Sequence, residues 1–183
     1  MPESGYWQTF FDAGSILKRL VPLEKPGSIL EFGSGYGTFT LPLAQAGHET
    51  HGLDIEADLV VALQREAQAL GLGNLKAQVR DFVVQGTGMP DASMDHVLLY
   101  NILHIEDPVA LLREALRILK PGATASIIHW RSDIATPRGP SLEIRPTSLQ
   151  CREWAREAGF AQTEEVALGG AAPYHYGILV HKP

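Results

Sequence analysis

A chain of 183 residues with 15 Lys and Arg against 21 Asp and Glu carries a formal charge of −6, and 45% of its residues are hydrophobic. That length suits one soluble globular domain with a proper core, and the acidic balance argues against an affinity built on phosphate contacts, so no nucleic-acid partner is expected. Cys151 is the single cysteine, which excludes an internal disulfide, and no Cys/His cluster has metal-ligand spacing, so no metal is expected either.

The opening residues show neither a basic nor a continuous apolar segment, and nowhere do about 18 apolar residues run together, which predicts a cytoplasmic protein that makes no use of a membrane. Tyr6, Phe10, Ala13, Leu17 and Leu20 recur at helical spacing, with Trp7 and Phe11 on a neighbouring stripe. They predict a helix within residues 1–22, placed as a lid.

Five apolar runs, 28–33, 48–54, 75–81, 93–100 and 123–130, read as strands. Between them, Leu59, Leu63, Ala67 and Leu70, then Val109, Leu112, Leu116 and Leu119, recur at helical spacing. Strand alternating with helix predicts a doubly wound α/β fold, with a mostly parallel sheet and helices on both faces. Residues 131–146, with three prolines and three arginines, form the one long irregular stretch. Thr147 and Gln150 then have capping-box spacing, Cys151, Trp154, Ala155 and Ala158 share a helical face, and Gly159 closes the helix. Segments 160–168 and 174–181 predict a C-terminal antiparallel strand pair, for seven strands in all.

The segment from Ile29 to Thr38 runs an apolar strand into Gly33, Gly35 and Gly37 and then towards a helix. Glycines there let the chain turn sharply and let a ligand lie against the backbone, near helix amides. Glu31 ends this strand, and Asp54 ends the next, where a carboxylate takes both ribose hydroxyls. A dinucleotide fingerprint wants a small residue where Thr38 stands, and Glu31 would repel a pyrophosphate while attracting an ammonium. A nucleoside bearing an amino acid fits better.

With these residues, with Arg80-Asp81-Phe82, with the strand 95–100 and with the run from Leu111 to Lys120-Pro121-Gly122, the chain resembles the class I S-adenosyl-L-methionine-dependent methyltransferases, specifically the small type-11-like members. The likeness covers about residues 27–130 and departs at Ala123, where the family often has a second glycine. It implies a Rossmann-like methyltransferase domain over residues 1–183, made of the lid at 1–22, a cofactor-binding core at 27–130, the loop at 131–146 and the C-terminal helix and strand pair at 147–183. It also implies S-adenosyl-L-methionine as cofactor. Glu31 would stand near the methionine ammonium, Gly33, Ser34, Gly35 and Gly37 would wall the methionine, and Asp54 would hold the ribose. Ile55 would pack on adenine, with Asp81 and the Phe82 backbone bonding its edge, and the Asn101 carbonyl would meet the ammonium.

In-line methyl transfer needs alignment and a dry site, and a general base only when the acceptor starts protonated. His104 and His129, at the ends of strands four and five, are the candidate bases. Tyr6, Trp7, Phe11, Trp130 and Arg131 are candidates for contact with the acceptor, and Arg138 and Arg145 for an acidic one. His48, His51, His96, His175 and His181 receive no role. No Asn/Asp-Pro-Pro-Tyr/Phe sequence follows strand four, no cysteine sits where a nucleophile would, and no acidic pair marks a metal-dependent catechol site. The expected acceptor is a small molecule. A binder of the cofactor or its demethylated product that has lost turnover, and a nicotinamide-dependent oxidoreductase, are the alternatives.

Overall fold

A computed structural model describes residues 10–22 and 24–183. The elements are α1 (Ala13–Leu20), β1 (Ser28–Phe32), α2 (Thr40–Gln45), β2 (Glu49–Asp54), α3 (Ala57–Ala69), β3 (Leu75–Val79), α4 (Phe82–Gln85), β4 (Met94–Tyr100), α5 (Pro108–Ile118), β5 (Leu119–Trp130), α6 (Ser148–Ala158), β6 (Gln162–Val166) and β7 (His175–His181). Seven strands form one sheet in the order β3-β2-β1-β4-β5-β7-β6. The first five are parallel, and β7 runs antiparallel to both β5 and β6. This is the doubly wound, Rossmann-like architecture with its C-terminal antiparallel pair.

Alternation along the strands builds a core on each face. Leu30, Phe32, Val97, Leu99, Ala125 and Ile127 meet α5 and α6, while Ile29, Leu98 and Ile128 meet α1. β4 is buried on both sides, and its one interior polar residue, His96, is satisfied in place. Its Nδ1 lies 2.7 Å from Thr124 Oγ1 and its Nε2 lies 2.9 Å from Ser126 Oγ, which also meets the Tyr100 hydroxyl at 2.9 Å. Burial pushes the His96 ring down to about 3, so it stays neutral.

Several expected details shift. α3 buries Val60, Leu63 and Ala67, leaving Leu70 exposed, because the helix stops at Ala69. β5 starts at Leu119, before the expected turn, and its register slips: Lys120 to Ala123 stand opposite the single residue Asp95. Gly122, at φ 73°, turns this bulge, so Ala123 needs no left-handed conformation. α1 begins at Ala13 behind an Asp12 cap, so Phe10 and Phe11 precede it rather than belonging to its stripes. Tyr6 and Trp7 lie outside the described residues. None of the described helices is long and apolar enough to cross a membrane.

Candidate functional site

The C-terminal ends of the parallel strands gather the polar chemistry of the molecule. After Phe32 the chain turns so that the Gly33 and Ser34 amides donate to the Leu53 carbonyl at 2.8 and 3.0 Å, and Gly33, Gly35 and Gly37 take φ of 71°, 53° and 77°. The Gly35 amide donates to Asp54 Oδ2 at 2.7 Å, and the Glu56 amide donates to Oδ1 at 3.0 Å. Asp54 thus ties the glycine loop to the end of β2, and a carboxylate has lone pairs to spare for hydroxyls. Gly37 does not wall the cleft as expected. A Cβ there would stand 2.5 Å from Leu63 Cδ1, so this glycine lets α3 pack closely under the loop.

Beneath the loop lies a cleft of ≈ 50 Å³ lined by Glu31, Gly33, Ser34, Gly35, Tyr36, Thr38, Phe39, Tyr100 and Asn101. Glu31 is 3% exposed and accepts from the Thr40 hydroxyl. Burial pushes its carboxyl up to about 8; the Thr40 bond opposes this, and the Asp54 charge adds to it. Around it the side-chain atoms Ser34 Oγ, Thr38 Oγ1 and Asn101 Oδ1 are buried without a partner. Native interiors rarely leave such atoms unsatisfied. Asn101 itself holds φ 56°, a left-handed conformation uncommon for a side-chain-bearing residue.

Next to this cleft, Ile55 is 60% exposed, so it is a free apolar surface rather than core. Asp81 caps α4, with Oδ1 accepting from the Val84 amide at 3.1 Å. The Phe82 ring is buried against Phe32 at 5.1 Å, while its amide, at the first position of α4, makes no hydrogen bond among the described residues. A nucleoside carrying an amino acid fits this row of groups. The carboxylate and unpartnered oxygens would serve the amino-acid end, Asp54 the ribose, and Ile55 with the Asp81–Phe82 edge the base.

On the other side of Asn101 stands a set of histidines. Sequence reasoning brings His104 and His129 here, and the structure pairs them, with His104 Nδ1 3.2 Å from His129 Nε2. His129 Nδ1 faces the Trp130 carbonyl at 3.4 Å, which fixes its proton on Nδ1. His129 Nε2 then accepts from His104 Nδ1, leaving the lone pair of His104 on Nε2, on a side chain at the exposed rim. Burial pushes the His129 ring down to about 3 and moves that of His104 down as well. The third ring, His175, received no role from sequence reasoning. It opens β7 directly across from Trp130, lies 4.1 Å from that ring and 4.6 Å from Phe11, and its Nε2 is 3.4 Å from Asn101 Nδ2.

The expected acceptor contacts divide. Arg131 lines a second cleft but is held by Asp133 through bonds of 2.9 and 2.6 Å. Trp130 does not present a face to a ligand here: it is 1% exposed, packed by Phe10 at 5.6 Å and overlaid by the Arg145 guanidinium at 5.7 Å. Phe11 is likewise buried, on Phe39 and His175. Arg145 is not aimed at an acidic acceptor; it donates to the carbonyls of Pro140, Arg131 and Arg138 and so ties the 131–146 loop together.

The second cleft, of ≈ 530 Å³, opens beside His175 and Tyr176, between β6 and the first turns of α6. Nothing local in the sequence reveals it, because it depends on β7 lying between β5 and β6.

Comparison with known proteins adds to this geometry. Residues 29–122 match a family model described as a methyltransferase domain. A norajmaline N-methyltransferase from Rauvolfia serpentina is 29% identical over 126 residues, covering 67% of this chain and 42% of that protein. An aklanonic acid methyltransferase from a Streptomyces species is 30% identical over 112 residues, 57% of this chain and 50% of that protein. The chain spans about half the length of the curated relatives it matches. Among solved structures, a SAM-dependent methyltransferase from Aquifex aeolicus superposes with a TM-score of 0.82 at 21% identity, covering 99% of this chain and 94% of that one.

Proposed function

The chain belongs to the methyltransferase-domain family, whose cofactor is S-adenosyl-L-methionine, and we propose that it transfers a methyl group to a small-molecule acceptor bound in the cleft beside His175 and Tyr176. The observation that carries this reading is the Asn101–His175 contact, which joins two clefts. One is lined by Glu31 and unpartnered buried oxygens, and the other has a volume of ≈ 530 Å³. That size falls in the range of small-molecule sites. Relatives named for norajmaline and for aklanonic acid support an acceptor of this scale.

When bound, the cofactor supplies a methyl group already activated on a sulfonium. This chain's residues then have three tasks. Glu31, Ser34, Gly33, Gly35 and Asn101 hold the amino-acid end, Asp54 the ribose, and Ile55, Asp81 and Phe82 the base. Phe10, Phe11 and Trp130 pack over the sheet edge and keep water from the inner wall. His104 Nε2 takes a proton from an acceptor hydroxyl or ammonium, while His129, anchored on the Trp130 carbonyl, keeps the other His104 nitrogen protonated and the ring aimed.

Incubation with methyl-labelled cofactor and a metabolite extract tests the reading, since it reads turnover and names the acceptor together. For an acceptor with a proton to lose, His104→Ala should cut turnover by about 10²–10⁴-fold with cofactor affinity unchanged. An unchanged rate on such an acceptor removes His104 from the mechanism, and the absence of any labelled product removes the activity.

A further inference from the structure

The second cleft is lined by more charge than an apolar acceptor would tolerate. Arg131 is neutralised by Asp133, and Glu165 accepts from the Ser148 hydroxyl at 2.8 Å. Arg152, on the second turn of α6, has no such partner. Its Nε is buried without a hydrogen bond, and the side chain makes no ion pair among the described residues. A buried guanidinium nitrogen left unpaired is costly, so the arrangement awaits an acceptor atom.

Three further donors line the same space. His175 is 5% exposed, and its Nδ1 has no partner. With the Asn101 amide as assigned, Nδ2 donates to His175 Nε2, so the proton of this neutral ring sits on Nδ1 and Nδ1 is a donor. The α6 capping box uses Thr147 and Gln150, leaving the Ser148 and Leu149 amides of this 11-residue helix unbonded at its positive end. By contrast, the Tyr176 hydroxyl is already spent on the Pro146 carbonyl at 2.8 Å. Glu165 keeps its charge at the Ser148 side of the cleft, while Arg152, His175 Nδ1 and the α6 amides are donors without a partner among the described residues.

From these groups we infer that the acceptor carries an oxyanion, a carboxylate or a phosphate, anchored by Arg152 with His175 Nδ1 and the start of α6. This rests on the methyltransferase reading above and names the acceptor class of that site. The apolar edges of Leu149, Val166 and Leu168 and the Tyr176 ring would take the body of the molecule. His175 belongs to both ends of this arrangement, offering Nδ1 to the anion while its Nε2 faces Asn101, so the anion orients the acceptor towards the cofactor cleft and need not itself be methylated.

The test is calorimetric titration of the full chain with benzoate, phenyl phosphate and neutral benzamide, with and without saturating S-adenosylhomocysteine, for wild type and Arg152→Gln. At least one oxyanion should bind about tenfold more tightly than benzamide, and Arg152→Gln should abolish that preference while still binding S-adenosylhomocysteine as wild type does. A preference for benzoate identifies a carboxylate, and one for phenyl phosphate identifies a phosphate. Benzamide binding as well as both anions, or an undiminished preference in Arg152→Gln, overturns the oxyanion while leaving the methyltransferase reading intact. If wild type fails to bind S-adenosylhomocysteine, that underlying reading falls and takes this one with it.

Discussion

Glu31 sits at the C-terminal end of β1 with 3% of its surface exposed, where the hydroxyl and backbone of Thr40 stabilise a negative charge less than burial disfavours it. Its carboxyl titrates near 8 in the folded chain instead of the usual 4.5. Between those two values the folded state holds a proton that the unfolded state has released, so stability falls as pH rises, by about 1.4 kcal/mol per pH unit. Glu31→Gln has no proton to hold. Urea unfolding of cofactor-free protein at pH 5.5 and 7.5 should show wild type losing about 2–3 kcal/mol relative to the variant between the two conditions. A difference that is the same at both pH values would mean that Glu31 is ionised throughout. An ammonium set beside this group favours its carboxylate, which is why a residue that weakens the empty fold suits a cationic ligand.

At the scale of elements, the 131–146 segment is the part whose character changed most between sequence and structure. Its arginines read as candidates to meet the acceptor, whereas Arg145 is 8% exposed and closes the segment with bonds of 2.8, 2.9 and 3.2 Å to three carbonyls. A planar fork can reach three acceptors together, and an ammonium cannot hold the same set. Arg145→Lys should therefore cost about 1.5–3 kcal/mol, the range of a hydrogen bond to a charged group, and hydrogen exchange should speed up across 131–146 while α6 keeps its protection. Uniform exchange across both segments would show the fork to be dispensable. The contrast with α6 shows what was legible. Thr147, Gln150 and Gly159 mark their helix by contacts within one or two turns, and both bonds of the capping box and the left-handed Gly159 at φ 113° are present. The glycine turn and the carboxylates of Glu31 and Asp54 near the ends of β1 and β2 are placed by equally local patterns. The roles of His175 and Arg152 were not, because they follow from the pairing of Trp130 with His175 and from the insertion of β7 between β5 and β6, which no local pattern encodes.

At the scale of the molecule, the unsatisfied buried side-chain polarity of the described residues gathers at one rim. Among the described residues, the buried side-chain atoms without a partner are Ser34 Oγ, Thr38 Oγ1, Asn101 Oδ1, Arg152 Nε and His175 Nδ1. All five belong to segments at the C-terminal edge of the parallel strands, while the polar groups inside the sheet, His96 with Thr124, Ser126 and Tyr100, bond one another. The polar groups within the sheet are paired by the protein itself, and those at the rim are not. A ligand that supplies partners to Ser34, Thr38 and Asn101 in the cleft with Glu31 binds only the folded state, so S-adenosylhomocysteine at 100 times its Kd should add about 2.7 kcal/mol of stability. For a chain of this length that raises Tm by about 5–10 °C. The gain should be local in exchange, slowing amides in 33–38 and at Asn101 while leaving Gly122, in the bulge at the opposite edge of the sheet, unaffected. A Tm that stays fixed at saturating ligand, or protection spread equally to both edges, would contradict a cofactor seated at the glycine loop and Asn101.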